Sequence, residues 1–379
     1  MPDHGASRVE FGALGDLRMR VFVAIAHYFN NEEERQDIRA LDMGSGRWPL
    51  PRIAALNAEL VALHRHFGPN ALSINPAEAE QFASRSANVL DIVVVTRRGK
   101  NILDWIGIEP PAIAVEYFDG DPLMLGFEAQ RLMRERAGAY DIYGYMEDDL
   151  VVTDPAFLDK IAWFAGKFGD TALLLPTRYE MSSSGTLAKV AFAPQLSRTR
   201  REFLYRNNPP PVLSADWNGR TQSFRIPMNP HSGCYFLTQP QLARWLRSDS
   251  FYDRDASWID PLVSAATYAP GKLFNIYTAA EPDPWFLDIE HFGVRYAAQA
   301  LSATMELGDS PVLQLAQSLA ASGADGHNAL GKPPAGLSSE EMFAELARLK
   351  HEVGRLKGSR SELARALLRS LFGRDRTSR

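Results

Sequence analysis

The chain has 379 residues, 45% of them hydrophobic and 23% charged, which is ordinary for a globular protein of one large or two smaller α/β domains. Its formal net charge of −5 argues against a general nucleic-acid-binding protein, because neutralising phosphates requires a basic surface. The single cysteine, Cys234, excludes an internal disulfide and a cysteine-based zinc site.

The N-terminal segment and the length of the apolar runs indicate where in the cell the protein is expected. MPDHGASRVEFG contains acidic residues and no apolar core, unlike a secretory signal. The longest apolar runs, such as VFVAIA and IVVV, are far too short to span a bilayer. We therefore expect a soluble cytoplasmic protein, or one held peripherally at the inner face of the membrane.

Apolar runs and amphipathic segments alternate along the first 180 residues. Runs typical of buried strands occur at 21–29, 89–96, 112–118, 141–152 and 171–176. Segments with helical spacing, bounded by Pro and Gly, occur at 51–68, 122–136 and 155–169. This alternation predicts an α/β fold with a mainly parallel sheet, helices on both faces, and ligands beyond the carboxyl ends of the strands.

The second half is less regular. Residues 181–230 are rich in Ser, Arg, Asn and Pro, and predict a loop-rich insertion with one hairpin. The strand pattern returns at 231–238, followed by a short helix and a late strand at 272–277. Residues 311–339 are rich in Ala, Ser and Gly and predict a linker, and residues 340–379 predict an amphipathic, coiled-coil-like helix.

Three acidic residues, Glu147, Asp148 and Asp149, end the fourth predicted strand in YDIYGYMEDDLVVTDP. Each carboxylate loses hydration beside apolar residues, which is unfavourable unless a cation or strong donors replace the water. Mg²⁺ and Mn²⁺ bind carboxylate oxygens, and in many sites the same ion also binds the phosphates of a substrate. The alternative is a solvated acidic strand end in which Asp149 helps to cap the next helix, and the pattern alone leaves both interpretations open.

The buried strand, the acidic triplet and the Pro-started helix together resemble the DXD-type site of GT-A glycosyltransferases. MEDDLVVTDPAFLDKI is especially similar to the EDD form in N-acetylglucosaminyltransferases. The resemblance implies a GT-A (Rossmann-like) domain, placed at 1–310, with a nucleotide-sugar half at about 20–180 and an acceptor half at 181–310. It also implies that Asp149 ligates Mn²⁺ or Mg²⁺, while Glu147 and Asp148 support the nucleotide-sugar.

The same resemblance suggests further donor contacts. They are His27 and Tyr28 after the first strand, Asp91 in the second strand, and the Ser232–Gly233 pair before the strand at 234–238. Each has a plain structural alternative: a core histidine or aromatic residue, an edge-strand charge, and an ordinary turn. Glycine permits close backbone approach to a ligand, which suits a turn beneath a donor sugar.

An inverting transferase needs a base on the acceptor hydroxyl, and one carboxylate suffices. In SFYDRDASWIDPLVSAA the first candidate is Asp260 and the second is Asp255, although Asp260 also stands where it would cap a helix. By resemblance to GT-A enzymes, which often bring a late histidine to the metal, His291 is a candidate second ligand. A surface or core histidine is the alternative.

Aromatic residues of the second half offer an acceptor groove. Trp217, Trp258 and Trp285, with Arg225, come from loop-rich segments, and aromatic faces stack well on sugar rings. Unassigned tryptophans are more often core residues, so this reading competes with simple packing.

The predicted helical tail resembles tails of bacterial polysaccharide-assembling glycosyltransferases. Its apolar seam at 342–356 favours pairing with another protomer, and its basic stretch at 363–372 favours an anionic membrane surface that carries lipid-linked acceptors. Packing onto its own domain is the third possibility.

These features predict a metal-dependent, inverting glycosyltransferase that moves a sugar from a nucleotide-sugar, a UDP-sugar by resemblance, to a glycan or lipid-linked acceptor in bacterial surface-polysaccharide assembly. One alternative is a sugar-phosphate nucleotidyltransferase, which normally has an early Gly-rich, basic phosphate loop that HYFNNEEE lacks. The other is a non-catalytic glycan-binding or scaffold protein of the same fold.

Overall fold

A computed structural model describes residues 19–30, 49–68, 71–75, 80–84, 88–108, 112–181, 187–189, 202–227 and 229–293. The predicted linker at 311–339 and the predicted helical tail at 340–379 lie outside these residues. Their roles, and the division into donor and acceptor halves, stay predictions.

The strands follow the chain in this order: β1 (Arg20–Ala26), β2 (Ala71–Asn75), β3 (Glu80–Ser84), β4 (Val89–Thr96), β5 (Ala114–Tyr117), β6 (Ile142–Glu147), β7 (Leu150–Val151), β8 (Ala172–Leu174), β9 (Thr177–Met181), β10 (Leu187–Lys189), β11 (Val212–Trp217), β12 (Arg220–Arg225), β13 (Cys234–Thr238), β14 (Asn275–Ala279) and β15 (Asp288–His291). The longer helices are α1 (Leu50–Phe67), α2 (Leu125–Glu135), α3 (Phe157–Phe168), α4 (Gln239–Leu246) and α5, which runs through Pro261–Val263, the π-helical Ser264–Tyr268 and Ala269–Gly271.

The central sheet has the strand order β13-β6-β1-β4-β5. β6, β1, β4 and β5 are parallel, and β13 is antiparallel to β6 at one edge. Alternate residues of β1 are buried on opposite faces: Val23 packs in the cluster that contains α1 and α3, and Ala24 in the one that contains α2, α4 and α5. Helices on both faces explain why β1 is apolar without alternation. The predicted mainly parallel α/β sheet with helices on both faces is therefore confirmed.

Besides the two-stranded β2–β3 sheet, two four-stranded sheets are built from strands that follow β6 along the chain. One has the order β11-β12-β14-β8, and its β11–β12 hairpin turns at Asn218 and Gly219, both with positive φ, as a tight two-residue hairpin turn requires. This is the hairpin predicted within 181–230. The other has the order β10-β9-β15-β7, with β15 parallel to β9 and antiparallel to β7.

Two predicted strands differ from the observed ones. The strand predicted at 141–152 is divided into β6 and β7 by a turn at Asp148 and Asp149. The strand predicted at 272–277 begins only at Asn275, because Lys272 donates its N–H to the carbonyl of Tyr268 and so continues the last turn of α5.

Gly144 of β6 tests the packing between β6 and β13. It lies opposite Phe236, and a Cβ at Gly144 would come 2.5 Å from a ring carbon of Phe236. We expect Gly144→Ala to lower the free energy of unfolding by about 1–3 kcal/mol, measured by urea denaturation, because the buried ring must shift.

Gly166 of α3 is the matched control, since nothing lies within 4 Å of a Cβ there. Gly166→Ala should raise stability by about 0.5–1 kcal/mol through helix propensity. Equal stabilities of Gly144→Ala and wild type would contradict the packing of Phe236 over β6.

Candidate active site

The acidic turn, formed by Glu147, Asp148 and Asp149, lies at the carboxyl edge of the central sheet. Glu147 ends β6 and pairs in register with Ala26, which ends the parallel strand β1. The chain then turns at Asp148 and Asp149 before β7. Because the strand is interrupted there, the three carboxylates are not forced onto alternating faces.

Asp148 is held by two basic side chains. His27 Nδ1 lies 2.5 Å from one carboxylate oxygen, and Arg52 Nη1 donates to the other at 2.9 Å. The backbone N–H of Ile102 donates to His27 Nε2 at 3.1 Å, so the ring proton of His27 is on Nδ1 and points at Asp148. Burial raises the pKa of Asp148, but the Arg52 charge and the His27 hydrogen bond outweigh it and hold that pKa below its usual value.

Asp149 is held more loosely. Its Oδ2 lies 3.2 Å from Arg52 Nη1 and 3.6 Å from His291 Nε2, while its buried Oδ1 has no hydrogen-bond partner among the described residues. His291 Nδ1 in turn lies 2.8 Å from Oε1 of Glu180, which is buried on β9. The structure thus brings together Asp149 and His291, the two predicted metal ligands, through the pairing of β15 with β7.

Glu147 is partly buried beside Gly233, which precedes the strand β13. Burial first, then Asp149, raises its pKa to about 8, although the Arg178 charge acts in the opposite direction. Gly233 has φ +72, and a Cβ there would come 2.7 Å from Glu147 Oε2, so the site requires glycine. Ser232 donates instead to the carbonyl of Pro176 at 2.7 Å, which gives it a structural contact rather than an open hydroxyl.

Two charged residues of α1, Arg52 and Glu59, were not identified from the sequence as part of the site. Glu59 is fully buried, and neither of its carboxyl oxygens has a hydrogen-bond partner in the part of the chain that the structure describes. Burial, then Asp148, Asp149 and Glu147, raise its pKa well above the usual value. The available signal was spacing: Arg52 and Glu59 are seven residues apart, on the same helical stripe as Leu56 and Leu63.

A pocket opens beside the acidic turn. It is lined by Tyr28, Arg52, Leu123, Leu262 and the three acidic side chains, among others. Tyr28, a predicted donor contact, lines this pocket, whereas His27 is buried behind Asp148. The described chain has no helix of the length and hydropathy needed to cross a membrane.

The two candidate bases differ sharply. Asp260 Oδ1 accepts the N–H of Val263 at 2.8 Å and so caps α5, and its charge also raises the pKa of Glu147. Asp255 accepts from Lys272 Nζ at 2.8 Å, and this bond lowers the pKa of Asp255 to about 2. A carboxylate that is held in an ion pair and has a low pKa is a poor base. Of the two candidates, Asp260 is therefore the better one.

Three other predicted contacts lie elsewhere. Asp91 is exposed near the start of β4, level with Phe22 rather than Ala26, and its carboxylate accepts the Tyr140 hydroxyl, so it does not reach the pocket. Trp217 packs edge-on against Trp163, and Trp258 is buried and stacked on Tyr268. These two tryptophans are packing residues, while Trp285 is 42% exposed.

The comparisons with known proteins concern the fold. No protein-family profile matches the chain, and no curated protein matches its sequence. Among solved structures, WbbM, a bifunctional glycosyltransferase, matches with 12% identity and a TM-score of 0.31, over 70% of this chain and 39% of WbbM. S. aureus TarS matches with 10% identity and a TM-score of 0.34, over 83% and 44%. A 4-diphosphocytidyl-2C-methyl-D-erythritol synthase matches with 15% identity and a TM-score of 0.25, over 60% and 79%.

The chain thus spans about two fifths of the length of WbbM and TarS. At these TM-scores the three likenesses carry no argument about activity, so function is argued from the side chains at the acidic turn.

Glu59 makes a pH-dependent contribution to stability. Its folded-state pKa is raised, so its contribution is fully present below the unfolded pKa and is lost as pH rises toward the folded value. We expect Glu59→Gln to gain stability over wild type with rising pH, by up to about 1.4 kcal/mol per pH unit above the unfolded pKa, in urea denaturation.

The exposed Glu135, which pairs with Arg131, provides the control. Glu135→Gln should show a small difference of the opposite sign, because it removes a surface ion pair. A Glu59→Gln difference that stays constant between acidic and neutral pH would contradict a buried neutral Glu59.

Proposed function

We propose that the chain is a metal-dependent, inverting glycosyltransferase that uses a nucleotide diphosphate sugar, a UDP-sugar by resemblance. The observation that carries the proposal is the state of Asp149: one buried carboxylate oxygen receives no hydrogen bond from the described residues, and His291 Nε2 lies 3.6 Å from the other. A buried oxygen left without a donor is unfavourable in isolation and suits a ligand position.

The charges of the pocket support a divalent cation. Among the described residues that line the pocket, Asp148 and Asp149 face one guanidinium, that of Arg52. Glu147, with a pKa of about 8, is mostly protonated at neutral pH and adds little charge. A bound diphosphate adds further negative charge, which a divalent cation would offset. Asp149 and His291 would hold Mn²⁺ or Mg²⁺, and a bound cation neutralises the leaving diphosphate as a Lewis acid.

The remaining ligands would come from the substrate. Among the described residues, no three His, Cys, Asp or Glu side chains form a group able to hold a metal. Mg²⁺ and Mn²⁺ sites commonly use one or two protein carboxylates together with phosphate oxygens and water, which agrees with the pair found here.

The chain's own residues then have separate tasks. Tyr28, at the rim of the pocket, offers an aromatic face to the nucleobase. Asp260 uses Oδ1 to cap α5, which leaves Oδ2 to accept the proton of an acceptor hydroxyl. As that proton leaves, the acceptor oxygen bonds to the anomeric carbon and the bond from that carbon to the diphosphate breaks. The glycan or lipid-linked acceptor remains a proposal from the sequence resemblance.

Donor binding tests the proposal directly. We expect thermal-shift measurements to show stabilisation by one nucleotide-sugar only with Mn²⁺ or Mg²⁺, about 2.7 kcal/mol at a hundredfold excess over Kd. Asp149→Asn should abolish this stabilisation. Asp170→Asn, which removes an exposed partner of Arg244, should retain it.

Two results would redirect the assignment. Stabilisation by nucleoside triphosphates and sugar phosphates instead would indicate a nucleotidyltransferase. Absence of any metal-dependent nucleotide binding would indicate a glycan-binding or scaffold protein.

Asp260→Asn separates catalysis from capping, because Asn caps a helix as well as Asp does. We expect kcat to fall by about 10²- to 10⁴-fold with folding stability nearly unchanged, since the amide cannot accept the proton. Asp255→Asn should have little effect on kcat. A larger loss in Asp255→Asn than in Asp260→Asn would reverse the assignment of the base.

A further inference from the structure

Arg52 contributes the cationic side chain among the residues that line the pocket. It lies near the start of α1, next to Pro51, on the stripe of the helix that faces the core. Arg52 is 8% exposed, so solvent screens its charge poorly.

One nitrogen of Arg52 is shared between two carboxylates. Nη1 is 2.9 Å from Asp148 Oδ1 and 3.2 Å from Asp149 Oδ2. Asp148 has a second, short contact with His27, whereas among the described residues Asp149 has the Arg52 contact and the more distant His291. The Arg52–Asp149 contact is therefore the weaker half of the shared interaction, and it breaks first when another cation approaches Asp149.

Arg52 is the basic side chain that the described lining of the pocket offers to a diphosphate. Guanidinium groups bind phosphate oxygens through strong charge-assisted hydrogen bonds. Arg52 cannot leave Asp149 without compensation, because the partly buried carboxylate would then keep only the more distant His291 among the described residues. A divalent cation at Asp149 supplies that compensation, so cation binding and the transfer of Arg52 to phosphate favour each other.

We propose that Arg52 binds the diphosphate of the donor and gives up Asp149 to the cation, while Asp148 stays held by His27. This inference rests on the proposed diphosphate donor. It makes Arg52 a residue that selects diphosphates over monophosphates and couples cation binding to donor binding.

Two affinities test the exchange, and they should change in opposite directions. Without anion, Arg52→Gln should bind Mn²⁺ about tenfold more tightly than wild type by electron paramagnetic resonance, because Asp149 loses its competing partner. With Mg²⁺ present, it should bind inorganic pyrophosphate about tenfold or more weakly by equilibrium dialysis, with little change for phosphate. A merely structural Arg52 would lower both affinities together.

Arg131 provides the matched control, because it is a partly buried arginine paired with Glu116, Glu128 and Glu135 on α2 and β5. Arg131→Gln should leave both affinities unchanged. If Arg52→Gln does not fold, Arg52→Lys decides, since it keeps the charge but loses the planar fork: weaker pyrophosphate binding supports the proposal and unchanged binding overturns it.

The outcomes separate this inference from the proposed function. If wild type binds no pyrophosphate with Mg²⁺, both fail. If wild type binds it and Arg52→Gln binds it equally well, or loses both affinities together, only the role of Arg52 is overturned.

Discussion

The buried contact of Asp148 with His27 and Arg52 is the constraint on which the candidate site depends. An ionised carboxylate tolerates burial only when its oxygens are satisfied, and here both are. Because the Ile102 N–H fixes the tautomer of His27, the ring can only donate toward Asp148. The turn between β6 and β7 is thereby anchored to β1 and α1, and its neighbouring carboxyl groups take their positions from that anchor.

With Asp148 fixed in this way, the three adjacent acidic residues lie in three different environments. Asp148 is paired, Asp149 keeps an oxygen that no described residue donates to, and burial and the Asp149 charge raise the pKa of Glu147 to about 8. A sequence of three adjacent acids therefore does not describe one kind of group. The environments come from α1, β1 and β15, which lie far apart in the chain and meet through strand pairing and through the packing of α1 on the core.

The sequence was sufficient to predict the parallel sheet, because apolar residues are spaced differently in buried strands and in amphipathic helices. It also placed the acidic triplet correctly at a carboxyl edge. It did not reveal Arg52 and Glu59, since charged residues within a helical pattern are ordinarily taken for its solvent face. It misplaced Asp91, which was chosen by resemblance although it stands near the start of its strand, away from the carboxyl edge. It ranked Asp260 ahead of Asp255, but it could not show that Lys272 pairs with Asp255, because that contact exists only in the tertiary structure.

The late position of β15 has a consequence for biosynthesis. His291 belongs to the last described strand, which inserts between β7 and β9 rather than adding to an outer edge. During translation, the acidic turn and all strands of the central sheet therefore emerge from the ribosome before His291 does. During that interval β7 and β9 lack the strand that joins them, so the nascent chain is exposed to mispairing at these two edges until residue 291 has been translated.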